Sequence, residues 1–153
     1  MYEAPKIRDA APTEASALES LQRRSSEVWD EYREQLAAHP EVIELPQAFI
    51  DNGWVRVAVD ASDTPIGFSV VIPSDGPAHE LDGLFVEPAQ MRRGVGRALV
   101  EDASARARSH GALVMDVTAG PAQPFYERAG FTVTGPARTR FGTAVRMRLD
   151  LSD

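Results

Sequence analysis

The 153-residue chain contains no cysteine, which excludes disulfides, thiolate-held metals and a cysteine nucleophile. It also lacks any apolar run approaching the ~18 residues that a membrane-spanning helix needs. Its opening stretch, "MYEAPKIRDAAPTE", has neither the basic nor the apolar region of a secretory signal, so a cytoplasmic location is the expectation. A basic surface is missing as well: the net charge is -7, which argues against coating nucleic acid. The length suits one domain spanning residues 1–153 and is short for two.

What is present is unevenly distributed. The first 64 residues hold thirteen Asp and Glu against six Lys and Arg, whereas the remainder holds ten of each. The acidic half suits a cationic substrate and the arginine-bearing half an anionic cofactor.

Periodicity orders the elements. "KIRDA" (Lys6 to Ala10) reads as a first strand, and Thr13 as the cap of a helix through "EASALESLQRR". A second helix, "SSEVWDEYREQLAAH", is expected to start at a serine cap, to space Val28, Tyr32 and Leu36 four apart, and to stop at Pro40. "PEVIELPQAFIDNG" reads as a loop with one helical turn. "WVRVAVD" alternates, with Trp54, Arg56 and Ala58 on one side and Val55, Val57 and Val59 on the other, and "IGFSVVI" returns as its hairpin partner. Then come "HELDGLFVEP", a helix from the glycines at 94 and 96 to near Gly111, a strand "ALVMDV", a short helix at "PFYERAG", and two closing strands. This order implies a mixed α/β (α+β) layer fold.

One spacing is irregular. Leu84 and Val86 share a strand face, but Leu81 lies three residues before Leu84, one too many for strict alternation. A β-bulge at Asp82-Gly83 restores all three to one face, bends the strand and frees backbone groups for an extended ligand. Directly after it, "MRRGVGRALV" sets Gly94-Val95-Gly96 at the start of a helix, with Arg92, Arg93 and Arg97 around them. Helix-start amides and the positive end of the macrodipole make this an anion site. A Walker loop does not fit, because Arg97-Ala98 stand where Lys-Ser/Thr is required. A dinucleotide fingerprint fits poorly, because Leu99 occupies its third small position, although Asp116 lies where its ribose acid would.

These residues together resemble the GNAT superfamily of acyl-CoA-dependent N-acyltransferases. The resemblance covers residues 54–150 and rests on "ELDGLFVEP", "RRGVGRALV" and "PFYERAGF" in that order. Met91 departs from the Gln or Arg of the family pattern, and Ala119 stands where many relatives carry an Asn. The resemblance implies a GNAT-like single domain: a mostly antiparallel mixed sheet, bulged and splayed at its central strand, with helices on both faces. It implies acetyl-CoA (coenzyme A) as cosubstrate. The pyrophosphate would lie on the amides of Arg92, Arg93, Gly94, Val95, Gly96 and Arg97, and the pantetheine arm would run beside Leu84, Phe85 and Val86, with Phe125 also in contact. A freed amide near Leu84 would meet the thioester carbonyl.

Acyl transfer to an amine requires a base for the ammonium and an acid for the departing thiolate. As in similar proteins, Tyr126 is the expected acid, since a phenol is protonated at neutral pH. Glu80 and Asp82 are the catalytic carboxylates on the bulged strand, with Glu80 preferred; Glu27, Glu31 and Glu34 are further candidates for the base. Without cysteine or a Gly-x-Ser-x-Gly elbow, direct attack in a ternary complex is expected rather than an acyl-enzyme. His39, His79 and His110 are too scattered for a metal site. The acceptor is a primary amine of a small molecule or peptide, for which Trp29, Tyr32 and Arg140 are the expected contacts. A homodimer is compatible with the sequence, and neither nucleic acid nor membrane is an expected partner. Two alternatives remain: a noncatalytic acyl-CoA sensor, in which Tyr126→Phe is silent, and a nucleotide-dependent oxidoreductase, which prefers NAD to CoA.

Overall fold

The computed structural model describes residues 4–140 and 142–152, without the side chain of Glu31. Glu31 as a candidate base, and Phe141 within the stretch "ARTRFGTA", therefore lie outside the described residues. Seven strands form one sheet in the order β1 (Lys6–Asp9), β2 (Val55–Val59), β3 (Pro65–Ile72), β4 (Ala78–Val86), β5 (Val114–Ala119), β7 (Gly142–Asp150) and β6 (Thr132–Thr139). Every neighbouring pair is antiparallel except β4 with β5.

The alternation of β2 explains the layers. Val55, Val57 and Val59 are buried against Leu18 and Leu21 of helix α1 (Ala15–Ser26), while Ala58 faces Leu99 of helix α4 (Val95–Ser109) on the other side. Helices thus cover both faces. Leu18 and Leu21 are fully enclosed, and burial of each contributes about 1.5–3 kcal/mol. Helix α5 (Gln123–Arg128) joins the α4 side through Tyr126, which is buried with Met115, Val117 and Phe131.

Three local expectations are corrected. Thr13 does not cap α1; the helix starts after Glu14, whose carboxylate accepts from the Ala11 amide and pairs with Arg8. Ser25 and Ser26 do not open a second helix but close α1, and helix α2 (Asp30–Ala38) begins after Trp29. The segment before β2 holds two pieces of helix rather than one turn, a 3-10 turn at Pro40–Val42 and helix α3 (Gln47–Asp51).

Candidate active site

The site is built around the register of β4. Against β3, Val70 faces Gly83 and Val71 faces Leu81, so Asp82 is the extra residue of a bulge. The bulge brings Leu81, Leu84 and Val86 to one side, where all three join the cores under α4. Gly83 is demanded by its own strand: a Cβ there would lie 2.7 Å from the ring of Phe85, which packs on Phe68 with ring centroids 5.2 Å apart.

Beyond the bulge, β4 and β5 part. They pair only at Ala78 with Val114, His79 with Met115 and Glu80 with Asp116. From Leu81 onward β4 keeps only β3, and from Val117 onward β5 keeps only β7. The gap is a wedge of about 160 Å³, walled by Leu84 and Phe85 on one side and Val117 to Ala119 on the other, with Tyr126 also lining it and Trp29 and Tyr32 across its mouth. The β4 edge presents amides to this gap. The Val86 amide donates to the buried Ser25 hydroxyl at 3.3 Å, whereas the next amide, that of Glu87, donates to the Ile66 carbonyl of β3. Alternation along the strand then turns the Leu84 amide toward the wedge as well.

The start of α4 lies beside the wedge, since Gly96 stands against Val86 at the end of β4 and Phe125 of α5. Arg92 and Gly94 both take left-handed backbone angles, with φ of 65° and 85°, and curl the loop ahead of the helix. Arg92 and Arg93 are exposed and, among the described residues, have no carboxylate partner; Arg97 pairs weakly with Glu101 at 3.4 Å. Gly96 has a packing reason rather than only the close anion approach expected from the sequence. A Cβ there would stand 3.0 Å from the ring of Phe125, which thereby locks α5 against the first turn of α4.

The titratable groups separate clearly. Tyr126 is buried among Phe125 and Phe131, and that burial, reinforced by Tyr32, holds its phenol well above the ordinary value and so protonated. The two β4 carboxylates differ. Arg146 grips Glu80 through both guanidinium nitrogens at 2.8 Å, and one of these also reaches the Thr118 hydroxyl at 2.8 Å. Glu80, the preferred base of the sequence reading, is therefore a tethered ion-pair partner. Asp82 has no such tether among the described residues, and partial desolvation at the wedge, then the nearby Glu80 charge, raises its pKa above the ordinary aspartate value.

The remaining expected residues scatter. Trp29 and Tyr32 lie at the mouth, and the Tyr32 hydroxyl sits over Gly120, 2.7 Å from where a Cβ would stand. Arg140 is exposed in the β6–β7 turn near Glu41 and does not line the wedge. Glu27 and Glu34 are exposed and are likewise absent from its walls. Ser25 was missed as a site residue, although its place at i+4 from Leu21 and i+7 from Leu18 marks it as inward-facing. Among the described residues no group of three His, Asp or Glu side chains could hold a metal, and no helix is long and apolar enough to cross a membrane.

Comparison with known proteins agrees with this geometry. Residues 51–133 match the family model described as Acetyltransferase (GNAT) domain. The chain is 30% identical over 131 residues to the peptidyl-lysine N-acetyltransferase YjaB of Salmonella typhimurium, covering 84% of each protein. The solution structure of apo YjaB from Escherichia coli superposes with a TM-score of 0.67 at 26% identity, covering 97% of this chain and 98% of that one. PaiA N-acetyltransferase from Thermoplasma acidophilum, crystallised with coenzyme A, shares the fold with a TM-score of 0.77 at 20% identity, over 97% and 99% of the two chains. A bulged central strand, a wedge opening beside it and an arginine-rich helix start are one arrangement in this chain, and with these matches they establish that it belongs to the GNAT family and is an N-acetyltransferase.

Proposed function

We propose that the protein moves the acetyl group of acetyl-CoA onto a lysine side chain of a peptide or protein by direct attack within a ternary complex. The observation that carries this reading is the closeness of the β4–β5 wedge to the start of α4, where Gly96 stands against Val86 of β4 and Phe125 of α5: a narrow slot for an extended arm beside a curled, arginine-flanked loop for a diphosphate. The wedge takes the acyl end and the pantetheine arm, whose polar groups replace strand partners along β4. The Leu84 amide faces the thioester carbonyl and stabilises the charge that grows on its oxygen. The diphosphate lies outside the wedge, on the amides from Arg92 to Arg97 with the arginine side chains around it.

Asp82, at the wedge and untethered, takes the proton of the incoming ammonium, directly or through water. Tyr126, buried and protonated, gives its proton to the departing sulfur. The lysine class of acceptor rests on the name of the YjaB relatives. The exposed acidic side chains of Glu27, Asp30 and Glu34 around α2 suit a cationic peptide.

The deciding assay follows CoA release with acetyl-CoA and a panel of lysine peptides, with small amines as comparison. Release driven by lysine peptides is the expected result; a panel on which only small amines work overturns the acceptor class. In Tyr126→Phe, kcat falls by about 100-fold or more with little change in KM for acetyl-CoA. An unchanged kcat removes the phenol from the chemistry.

A further inference from the structure

Ser25 stands one residue before the end of α1, is 6% exposed, and lines the wedge together with Leu84 and Phe85. Its oxygen accepts from the Val86 amide at 3.3 Å. A hydroxyl also has one hydrogen to give. A serine in a helix commonly gives it to a carbonyl one turn earlier, as Ser109 of α4 does to Arg106 at 2.7 Å. Ser25 does not: among the described residues nothing accepts from its hydroxyl. The group is half used, and the unused half is a donor enclosed at the wall of the wedge.

That half-used group bears on how β4 meets an extended ligand. With β5 gone from its side beyond Glu80, β4 offers amides to the wedge, but the Val86 amide is already spent on Ser25. The next donor outward from that amide is the Ser25 hydroxyl itself. A hydroxyl that accepts from a strand amide and has no internal acceptor passes the hydrogen bond on, and a donor polarised in this way is the stronger for it. Its match on a ligand is a carbonyl oxygen, since a thioether or thioester sulfur is a weak acceptor. The amides of a pantetheine arm carry such carbonyls.

We infer that Ser25 is a cosubstrate-binding residue whose hydroxyl donates to an amide carbonyl of the pantetheine arm, standing in for the Val86 amide at the open edge of β4. The serine accepts from the strand on one side and donates to the ligand on the other, so a side chain of α1 continues the row of donors that includes the Leu84 amide. The inference rests on the placement of the arm in the wedge given above, and it is specific to the arm: Ser25 has no part in holding the diphosphate.

Calorimetric binding to the intact protein tests it with two ligands: coenzyme A, and its 3′-phosphoadenosine diphosphate half, which keeps the phosphates and lacks the arm. Ser25→Ala is expected to weaken coenzyme A about 5-fold, the size of one neutral hydrogen bond, and to change the nucleotide half by less than about twofold. KM for acetyl-CoA should rise by a similar factor, with kcat changed by less than about twofold. Coenzyme A affinity within about twofold of the wild type overturns the inference. Tighter binding also overturns it, because the hydroxyl is then a plug that the arm must displace from the Val86 amide. Equal weakening of both ligands overturns it as well, since that marks a structural role. If thermal melting shows that Ser25→Ala does not fold, Ser25→Cys decides by the same pair of ligands, a thiol being nearly the same shape and a weak donor. A wild type that binds the nucleotide half as tightly as coenzyme A overturns the placement of the arm and the inference together. A wild type that binds coenzyme A but acetylates only small amines overturns the lysine reading alone, while the two ligands still decide the role of Ser25.

Discussion

The two halves of β4 belong to one strand and behave as different structures. Its first half, Ala78 to Glu80, is paired on both edges, and its side chains are spent on holding the sheet: Glu80 in the grip of Arg146, His79 packed at 4% exposure. Its second half, from Leu81 to Val86, is paired on one edge only, and its polar groups face a gap. Two carboxylates two residues apart thus stand in opposite settings, Glu80 tethered by Arg146 and Asp82 without such a tether among the described residues, which is why the base is proposed to be Asp82. A residue's chemistry here is decided by whether the neighbouring strand is present beside it.

The sharpest way to break this contrast is to neutralise each carboxylate in turn. Asp82→Asn is expected to lower kcat/KM by about 100-fold, or about 2.7 kcal/mol of barrier. Glu80→Gln is expected to change it by less than about threefold while lowering the melting temperature slightly, since the lost pair is half exposed and such pairs contribute at most about 1 kcal/mol. Reversed results would assign the base to Glu80. Because the Asp82 pKa is raised, its basic form appears only as pH climbs past the ordinary aspartate range. The acid limb of a kcat/KM profile should therefore sit at higher pH than an unperturbed aspartate gives, and should vanish in Asp82→Asn.

A smaller effect is expected from Gly83→Ala. The new methyl pushes the Phe85 ring out of its place on Phe68, at a cost of about 1–3 kcal/mol of stability. Chemical denaturation measures this, and a variant as stable as the wild type would show that the bulge has slack. The smallest effect falls in the paired half. Burial, and then the charge of His110, lower the His79 pKa below its ordinary 6.5. The unfolded chain therefore takes up a proton before the folded one, so stability is level above about pH 6.5 and declines as pH falls below it. Unfolding curves between pH 7 and 5 should show this decline in the wild type and a shallower one in His79→Gln; parallel declines would clear His79 of the effect.

Legibility in the sequence followed the range of the interactions. The bulge was readable because Leu81, Leu84 and Val86 lie within six residues and their faces must match. The helix start at Gly94 was readable for the same reason. Ser25 misled because a serine ahead of a helical pattern resembles a cap; its actual partner, the Val86 amide, is 61 residues away. The tether on Glu80 was equally hidden, since Arg146 is 66 residues distant and meets it only after β5 and β7 have entered the sheet. Family likeness pointed to Tyr126, but no local pattern could bring Tyr32 to Gly120.

Three rungs between β4 and β5 are a short seam. Strands β1 to β4 on one side and β5, β7 and β6 on the other are joined there and also beneath the sheet, where Val100, Ala103 and Ala107 of α4 pack with Leu81 of β4 and with Met115 and Val117 of β5. A close-packed core of this kind yields little, so the width of the opening is fixed by the same side chains that hold the two parts of the sheet together.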